Sequence, residues 1–110
     1  MSQKKQKPKK WYEVYPQGTK AGDEEQRFFI ALSRNPKFDW RSVAAIVKEA
    51  SLTIERVEEI LLKYVKKGLV FQSPKNPENW AYWERVPEML PDVASTIAND
   101  DKKKRIDKAV

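Results

Sequence analysis

The feature that most constrains the fold is the run from Thr53 to Gly68, in which apolar residues recur every three or four positions. This is the spacing of one face of an α-helix. Thr53 can cap the first turn, and Gly68 can take the left-handed conformation that ends a helix, with Lys66 and Lys67 at the negative end of the dipole. The sequence therefore predicts a helix between these two residues. Its apolar positions are Ile54, Val57, Ile60, Leu61, Tyr64 and Val65.

Two shorter helices are predicted before this run, joined by an extended link at residues 38–40. The first begins at Asp23, an N-cap with Gln26 in the capping-box position, and ends before Pro36, because the residue preceding a proline disfavours the helical conformation. The second covers about residues 41–50. Its apolar positions are Val43, Ile46, Val47 and Ala50.

After the third predicted helix, two apolar runs enclose a loop rich in proline and asparagine. Residues 69–72 are predicted as a strand, the loop SPKNPEN occupies residues 73–79, and WAYWERV at residues 80–86 is the returning strand. Two such runs around a loop of this composition are typical of a β-hairpin. The order predicted from the sequence is therefore three helices followed by a hairpin.

The aromatic residues of the returning strand have two alternative placements. Alternation sends Trp80 and Tyr82 to one face of the hairpin, and Trp83 to the other. We expect Trp83 to pack on the third helix and Trp80 and Tyr82 to stay partly exposed. The alternative is that Trp11 or Tyr15, from the segment WYEVYPQG, folds over them and closes a second small core.

The two ends of the chain are predicted to lie outside the folded unit. Residues 1–10 form a lysine-rich tail with almost no apolar side chains, which indicates disorder. Residues 11–18 are predicted as a short strand or an extended arm on the domain. Residues 88–110 form an extension with one weak helix over 92–98 and a basic tail. The folded domain is thus expected over residues 11–87.

The segment DWRSVAAIVKEASLTIERVEEILLKYVKKGLVFQ, the loop SPKNPEN and the strand WAYWERV together resemble the winged helix-turn-helix superfamily. The resemblance covers roughly residues 22–86 and indicates no single subfamily. Tyr64-Val65 stands where the family often has Leu-Val. The resemblance implies an α+β fold of three helices with a two-stranded C-terminal wing hairpin, here with flexible basic tails.

The composition removes several classes of function. The 110 residues contain no cysteine and no histidine, so disulfides, the usual zinc ligands and Ser-His or Cys-His nucleophile pairs are absent. No glycine-rich phosphate loop or nucleophile elbow is present. No apolar run approaches the ~18 residues that a bilayer crossing requires. We therefore expect a non-enzymatic cytoplasmic protein with no cofactor and no membrane association. We also expect a monomer, because the candidate dimerisation segment at residues 87–98 offers only Met89, Leu90, Val93 and Ile97 for an interface.

The net charge of +6 is concentrated at the two ends of the chain. Residues 1–10 carry five lysines, and residues 100–110 carry five basic and three acidic side chains. Residues 11–99 hold twelve basic and thirteen acidic side chains. The folded body is therefore expected to be nearly neutral, and a polyanion would be attracted mainly to the tails.

The resemblance implies a small protein that binds double-stranded DNA, a transcription regulator or accessory factor. The concentration of charge in the tails favours weak sequence specificity. In the DNA-binding members the third helix enters the major groove, and the wing contacts the backbone or the minor groove. Carried over by position, Thr53 and Arg56 lie where bases would be read, and the lysines would contact phosphates. The candidate nucleic-acid-binding residues are Arg41, Lys48, Thr53, Arg56, Lys63, Lys66, Lys67, Lys75, Trp80 and Tyr82.

The charge of the third helix leaves a second function open. Glu55, Glu58 and Glu59 face a single Arg56 on its early turns, and carboxylates there repel phosphates. This pattern is also that of an ordinary solvated helix face. The alternative function is a protein–protein interaction module that uses the acidic third helix or the aromatic wing, with a partner in the transcription or replication machinery. The tails would then add loose attraction for nucleic acid, or solubility alone.

Overall fold

A computed structural model describes residues 6–91. This part of the chain forms four α-helices, three short β-strands and two terminal 3-10 turns. The helices are α1 (Trp11–Val14), α2 (Lys20–Ser33), α3 (Val43–Ala50) and α4 (Ile54–Lys66). The strands are β1 (Arg41–Ser42), β2 (Val70–Gln72) and β3 (Asn79–Tyr82), and the 3-10 turns are Trp83–Arg85 and Pro87–Met89. The predicted first, second and third helices correspond to α2, α3 and α4.

The end of α3 and both ends of α4 lie where the sequence predicts them. Ser51 takes a left-handed conformation with φ of 56° at the end of α3. Thr53 caps α4 by accepting a hydrogen bond from the backbone N–H of Arg56 at 3.1 Å. Gly68 follows the helix with φ of +78°. Local signals at both ends therefore set the limits of α4 as predicted.

The sheet has three antiparallel strands, in the order β1-β3-β2, so the prediction of a two-stranded hairpin is wrong in its strand number. The additional strand comes from Arg41 and Ser42, which the sequence placed in the second helix. Ser42 stays extended because its hydroxyl caps α3 by accepting from the N–H of Ala45. Arg41 then pairs with Trp80 of the central strand β3. The helix consequently begins two residues late, and those two residues become β1.

The start of α2 also differs from the prediction. The N-cap is Thr19 and not Asp23, which lies inside the first turn. The Thr19 hydroxyl accepts from the N–H of Gly22 at 2.9 Å and donates to the carbonyl of Pro16 at 2.7 Å. The preceding loop therefore lies directly against the first turn of α2.

The segment predicted as a strand or extended arm is the short helix α1. Glu13 closes this turn by accepting from the backbone N–H of Lys10 at 2.7 Å. Trp11 is buried, its backbone N–H donates to the Tyr82 hydroxyl at 2.9 Å, and its ring stacks on Phe29 with centroids 5.5 Å apart. The expected exposure of Tyr82 is therefore wrong. Trp11 covers it as in the alternative, but Trp11 joins the same core as Phe29 instead of closing a second small core.

The core is aromatic and centred on Phe29 of α2. Its ring contacts those of Trp11, Phe28, Tyr64 and Tyr82, with centroid separations of 4.8–5.8 Å. Trp80 is also buried, which corrects its predicted exposure, and the returning strand ends at Tyr82 instead of continuing through residue 86. The central strand β3 is hydrogen-bonded along both edges, and successive residues Trp80, Ala81 and Tyr82 are all buried, so both of its faces are covered.

Residues 6–10 contact the folded unit, so packing begins before the predicted boundary at residue 11. The backbone N–H of Gln6 donates to the carbonyl of Pro91 at 2.8 Å, and the ammonium of Lys10 pairs with Glu84. The predicted helix at residues 92–98, the C-terminal basic tail and the first five residues lie outside the described part of the chain.

We predict that Gly22→Ala lowers the free energy of unfolding by about 1–3 kcal/mol, because the added Cβ overpacks a filled site. That Cβ would lie 1.8 Å from the Pro16 carbonyl oxygen. Helix propensity alone gives the opposite sign, a gain of up to about 1 kcal/mol. Urea unfolding followed by tryptophan fluorescence measures the difference. Ala21→Gly, at the exposed neighbouring position, calibrates propensity in the same turn, and a stabilised Gly22→Ala protein would contradict the described contact.

Candidate functional site

Arg56, the predicted base-reading residue, is held by carboxylates. Its Nε donates to Glu24 Oε1 at 2.7 Å, its Nη1 lies 3.4 Å from Glu59 Oε1, and its Nη2 lies 3.9 Å from Glu25 Oε2. Burial disfavours the charged form, but the hydrogen bonds to Glu24 and Glu59 outweigh this and raise the pKa of Arg56. The side chain is only 24% exposed. Bidentate pairing of Arg56 with guanine would compete with these contacts.

A second predicted nucleic-acid-binding residue, Lys63, is paired with the carboxylate of Glu25. This carboxylate lies on α2 and is 1% exposed. It accepts hydrogen bonds from the Lys63 ammonium at 2.7 Å and from the Tyr64 hydroxyl. A buried carboxylate requires such partners because desolvation disfavours its charge. Lys63 and Arg56 are thus brought together at the α2–α4 contact, where they neutralise acidic residues of the same chain.

Arg41 has a structural role as well. Its Nη1 donates to the carbonyl of Ala31 at 3.2 Å and pairs with Glu49 Oε2 at 2.6 Å. These contacts tie β1 to α2 and α3. Residues 41 and 49 do not have the spacing of a helical ion pair, so periodicity gave no sign of this contact.

The remaining predicted residues fall into two groups. Thr53 is occupied as the cap of α4, and Trp80 and Tyr82 are buried. Lys48, Lys66, Lys67 and Lys75 are exposed and form no ion pair within residues 6–91. Lys66 and Lys67 lie together at the C-terminal end of α4. Four of the ten candidate residues are therefore exposed cations without an ion pair to any residue in the described part of the chain.

A groove lies between the start of α3, the outer face of α4 and the β2–β3 hairpin, and we call it the front groove. Its volume is about 760 Å³, within the range of binding pockets. Ile54 and Leu62 line it from α4 and are 49% and 60% exposed. The residues lining it are Ser42, Val43, Ala44, Ile54, Glu58, Leu61, Leu62, Gln72, Pro77, Glu78 and Trp80.

The charge of the front groove is negative. Glu58 and Glu78 are its only charged lining residues within the described chain, and Glu55 and Glu59 are exposed on the same helix. This groove was not predicted from the sequence, because Ile54 was placed among the core positions of the third helix and Leu62 was not included. The available signal was the i, i+4, i+8 series Ile54, Glu58 and Leu62, which defines one stripe of a helix.

Within residues 6–91 no group of three or more acidic side chains is arranged to hold a metal ion. None of the described helices has the length and apolar character needed to cross a membrane. Comparison of the chain with protein-family models, curated protein sequences and solved structures gave no match.

The two buried tyrosines predict a loss of stability at alkaline pH. Burial raises the pKa of Tyr82 to about 12, and burial together with the hydrogen bond to Glu25 raises the pKa of Tyr64 further above its ordinary value of 10.0. Above pH 10 the unfolded chain releases protons that the folded state keeps, so the free energy of unfolding should fall by about 1.4 kcal/mol per pH unit for each tyrosine.

This dependence is measured by urea unfolding between pH 9 and pH 12, a range that follows from these two pKa values. Tyr82→Phe should remove about 1.4 kcal/mol per pH unit from the slope. Tyr12→Phe, at a half-exposed position, is the matched control. An unchanged slope in Tyr82→Phe would contradict the prediction.

Proposed function

We propose that this chain is a winged helix-turn-helix module that binds a segment of another protein in its front groove. The order of α3, a three-residue turn, α4 and the β2–β3 hairpin supports the winged helix-turn-helix assignment. The left-handed Ser51 in that turn supports it too, because helix-turn-helix turns often contain a residue suited to this conformation.

The observation that carries the proposal is the exposed apolar stripe in an acidic groove. Ile54 and Leu62 leave about half or more of their surface exposed beside the buried wall residue Trp80. An amphipathic helix laid into a groove buries such a stripe with its own apolar residues. Because the charged lining residues are Glu58 and Glu78, the fitting partner carries lysine or arginine beside its apolar anchors.

The same charges oppose a duplex at this face. Phosphate contacts supply much of the affinity of DNA-binding proteins and require cations. Here the early turns of α4 present Glu55, Glu58 and Glu59, and Arg56 is paired within the chain. A positively charged protein segment gains from this arrangement, whereas a phosphate backbone is repelled.

The front-groove proposal is tested with a synthetic amphipathic peptide of Leu and Lys, ~18 residues or about five helical turns long. Backbone amide shifts of the full-length protein should change at Ile54, Glu58 and Leu62. Leu62→Ser should weaken binding on the order of tenfold, because a leucine buried at an interface contributes about 1.5 kcal/mol. Phe38→Ser is the matched control, since Phe38 is 57% exposed and lies outside the groove lining.

Two further peptides separate the chemical requirements. One replaces every Lys by Glu and should bind more weakly because the groove is acidic. The other replaces every Leu by Ser and should lose the contact with the apolar stripe. Equal binding of all three peptides, or equal effects of Leu62→Ser and Phe38→Ser, would overturn the groove as a docking site.

The second candidate function is weak, sequence-tolerant DNA binding, as a transcription regulator or accessory factor. The observation favouring it is the set of exposed lysines without ion pairs among the described residues, Lys48, Lys66, Lys67 and Lys75. None lies on the early turns of α4. Duplex DNA would accordingly be bound through its backbone and not by base reading from Arg56.

For this function we predict that Arg56→Gln leaves duplex affinity nearly unchanged, whereas Lys66→Gln with Lys67→Gln weakens it. Each lost phosphate contact should reduce the slope of log affinity against log salt by about 0.9. Fluorescence anisotropy with a mixed-sequence duplex at several salt concentrations measures both effects. A sequence-dependent loss in Arg56→Gln would instead identify α4 as a base reader.

A further inference from the structure

A second concavity lies where the N-terminal segment crosses the end of α4, and we call it the rear cleft. Its volume is about 590 Å³. The backbone hydrogen bond from Gln6 to Pro91 holds the two ends of the described chain together beside it. The residues lining it are Gln6, Lys7, Pro8, Val65, Lys66, Lys67, Gly68, Phe71, Leu90 and Pro91. It shares no lining residue with the front groove.

The charge of the rear cleft is opposite to that of the front groove. Lys7, Lys66 and Lys67 are exposed and form no ion pair within residues 6–91, and no described lining residue is acidic. Lysines at the end of a helix are common because they face the negative end of its dipole. That reason covers Lys66 and Lys67 but not Lys7, which comes from a separate segment. Three ammonium groups from two parts of the chain therefore line one cleft.

The other lining residues are largely apolar. Pro8, Val65 and Pro91 accompany the half-buried ring of Phe71. An inorganic anion would pair with the lysine ammonium groups but would make no apolar contact with this surface. A nucleotide has both parts, a phosphate for the ammonium groups and a flat base for an aromatic or apolar platform.

We propose that the rear cleft binds a short single-stranded stretch of nucleic acid. Its phosphates pair with Lys7, Lys66 and Lys67, and a base lies against Phe71 and the neighbouring prolines. A duplex cannot place a base there, because its bases are stacked and paired in the interior. This inference rests on the second proposed function, nucleic-acid binding, and gives it a location and a strand preference.

The test uses the full chain, a fluorescein-labelled oligothymidine of ~12 nucleotides and a duplex of the same length, a size within the range of single-strand binding sites. Anisotropy titrations are run at several salt concentrations. The cleft variant carries Lys7→Gln, Lys66→Gln and Lys67→Gln. The matched control carries Lys9→Gln, Lys20→Gln and Lys37→Gln, which remove the same charge from exposed positions outside the cleft. The terminal lysines at positions 4, 5 and 102–104 are unchanged in both.

We expect the single strand to bind more tightly than the duplex. The cleft variant should lose at least about tenfold in affinity, and its salt slope should fall by about 2, which corresponds to three phosphate contacts on a single strand. The control should lose much less. Phe71→Leu keeps an apolar side chain of similar size and should weaken binding about threefold or more with little change in salt slope, because stacking and not charge is removed.

Four results would overturn the inference. Equal losses in the two triple variants would mean diffuse attraction and no site. Duplex binding as tight as single-strand binding would keep the second proposed function and reject the cleft as a strand site. Binding of neither oligonucleotide would reject both. Displacement of the oligonucleotide by a polyglutamate peptide at equal charge concentration would assign the cleft to acidic protein segments.

Discussion

The buried carboxylate of Glu25 determines much of what the rest of the molecule can do. Placed between α2 and α4 at 1% exposure, it requires hydrogen-bond donors, and α4 supplies them through Lys63 and Tyr64. Arg56 is drawn to the same place by Glu24. The contact that joins the two longest helices therefore uses two of the cations that would otherwise face outwards. What remains exposed on the early turns of α4 is acidic.

This internal pairing changes the meaning of the overall charge. A chain with a net charge of +6 suggests a polyanion partner. Once the paired arginines and Lys63 are set aside, the described residues offer an acidic, partly apolar groove at the front and a basic cleft at the other end of α4. The two partners that we propose therefore differ in chemistry, a cationic protein segment for the front groove and a nucleic-acid strand for the rear cleft.

Features encoded within a few residues of each other could be predicted from the sequence. Thr53 and Gly68 mark the ends of α4 because capping and left-handed termination are local. Features that depend on distant pairing could not. Periodicity extends the second helix through Arg41, whereas pairing with Trp80 makes that residue a strand. Trp11 joins the core through Phe29 and Tyr82, at separations that no sequence window covers.

In the candidate site, too, local features could be predicted from the sequence and contacts between distant residues could not. The lysines that stayed exposed were identified as cations from the sequence, but the pairing of Arg56 with Glu24 spans 32 positions and that of Lys63 with Glu25 spans 38. Such contacts depend on how helices pack and not on the pattern along either helix. The exposed stripe of Ile54 and Leu62 was hidden for a related reason, since spacing alone does not tell which apolar residues find cover.

The hydrogen bond between Gln6 and Pro91 brings the first and last described residues into contact. The path of the folded unit therefore ends close to where it begins, and α1 packs on the core next to this junction. Proteins with adjacent ends often tolerate a new starting point along the chain. The exposed turn at residues 74–76, between β2 and β3, is a natural place for such an opening, because a chain starting there keeps each helix of residues 6–91 intact.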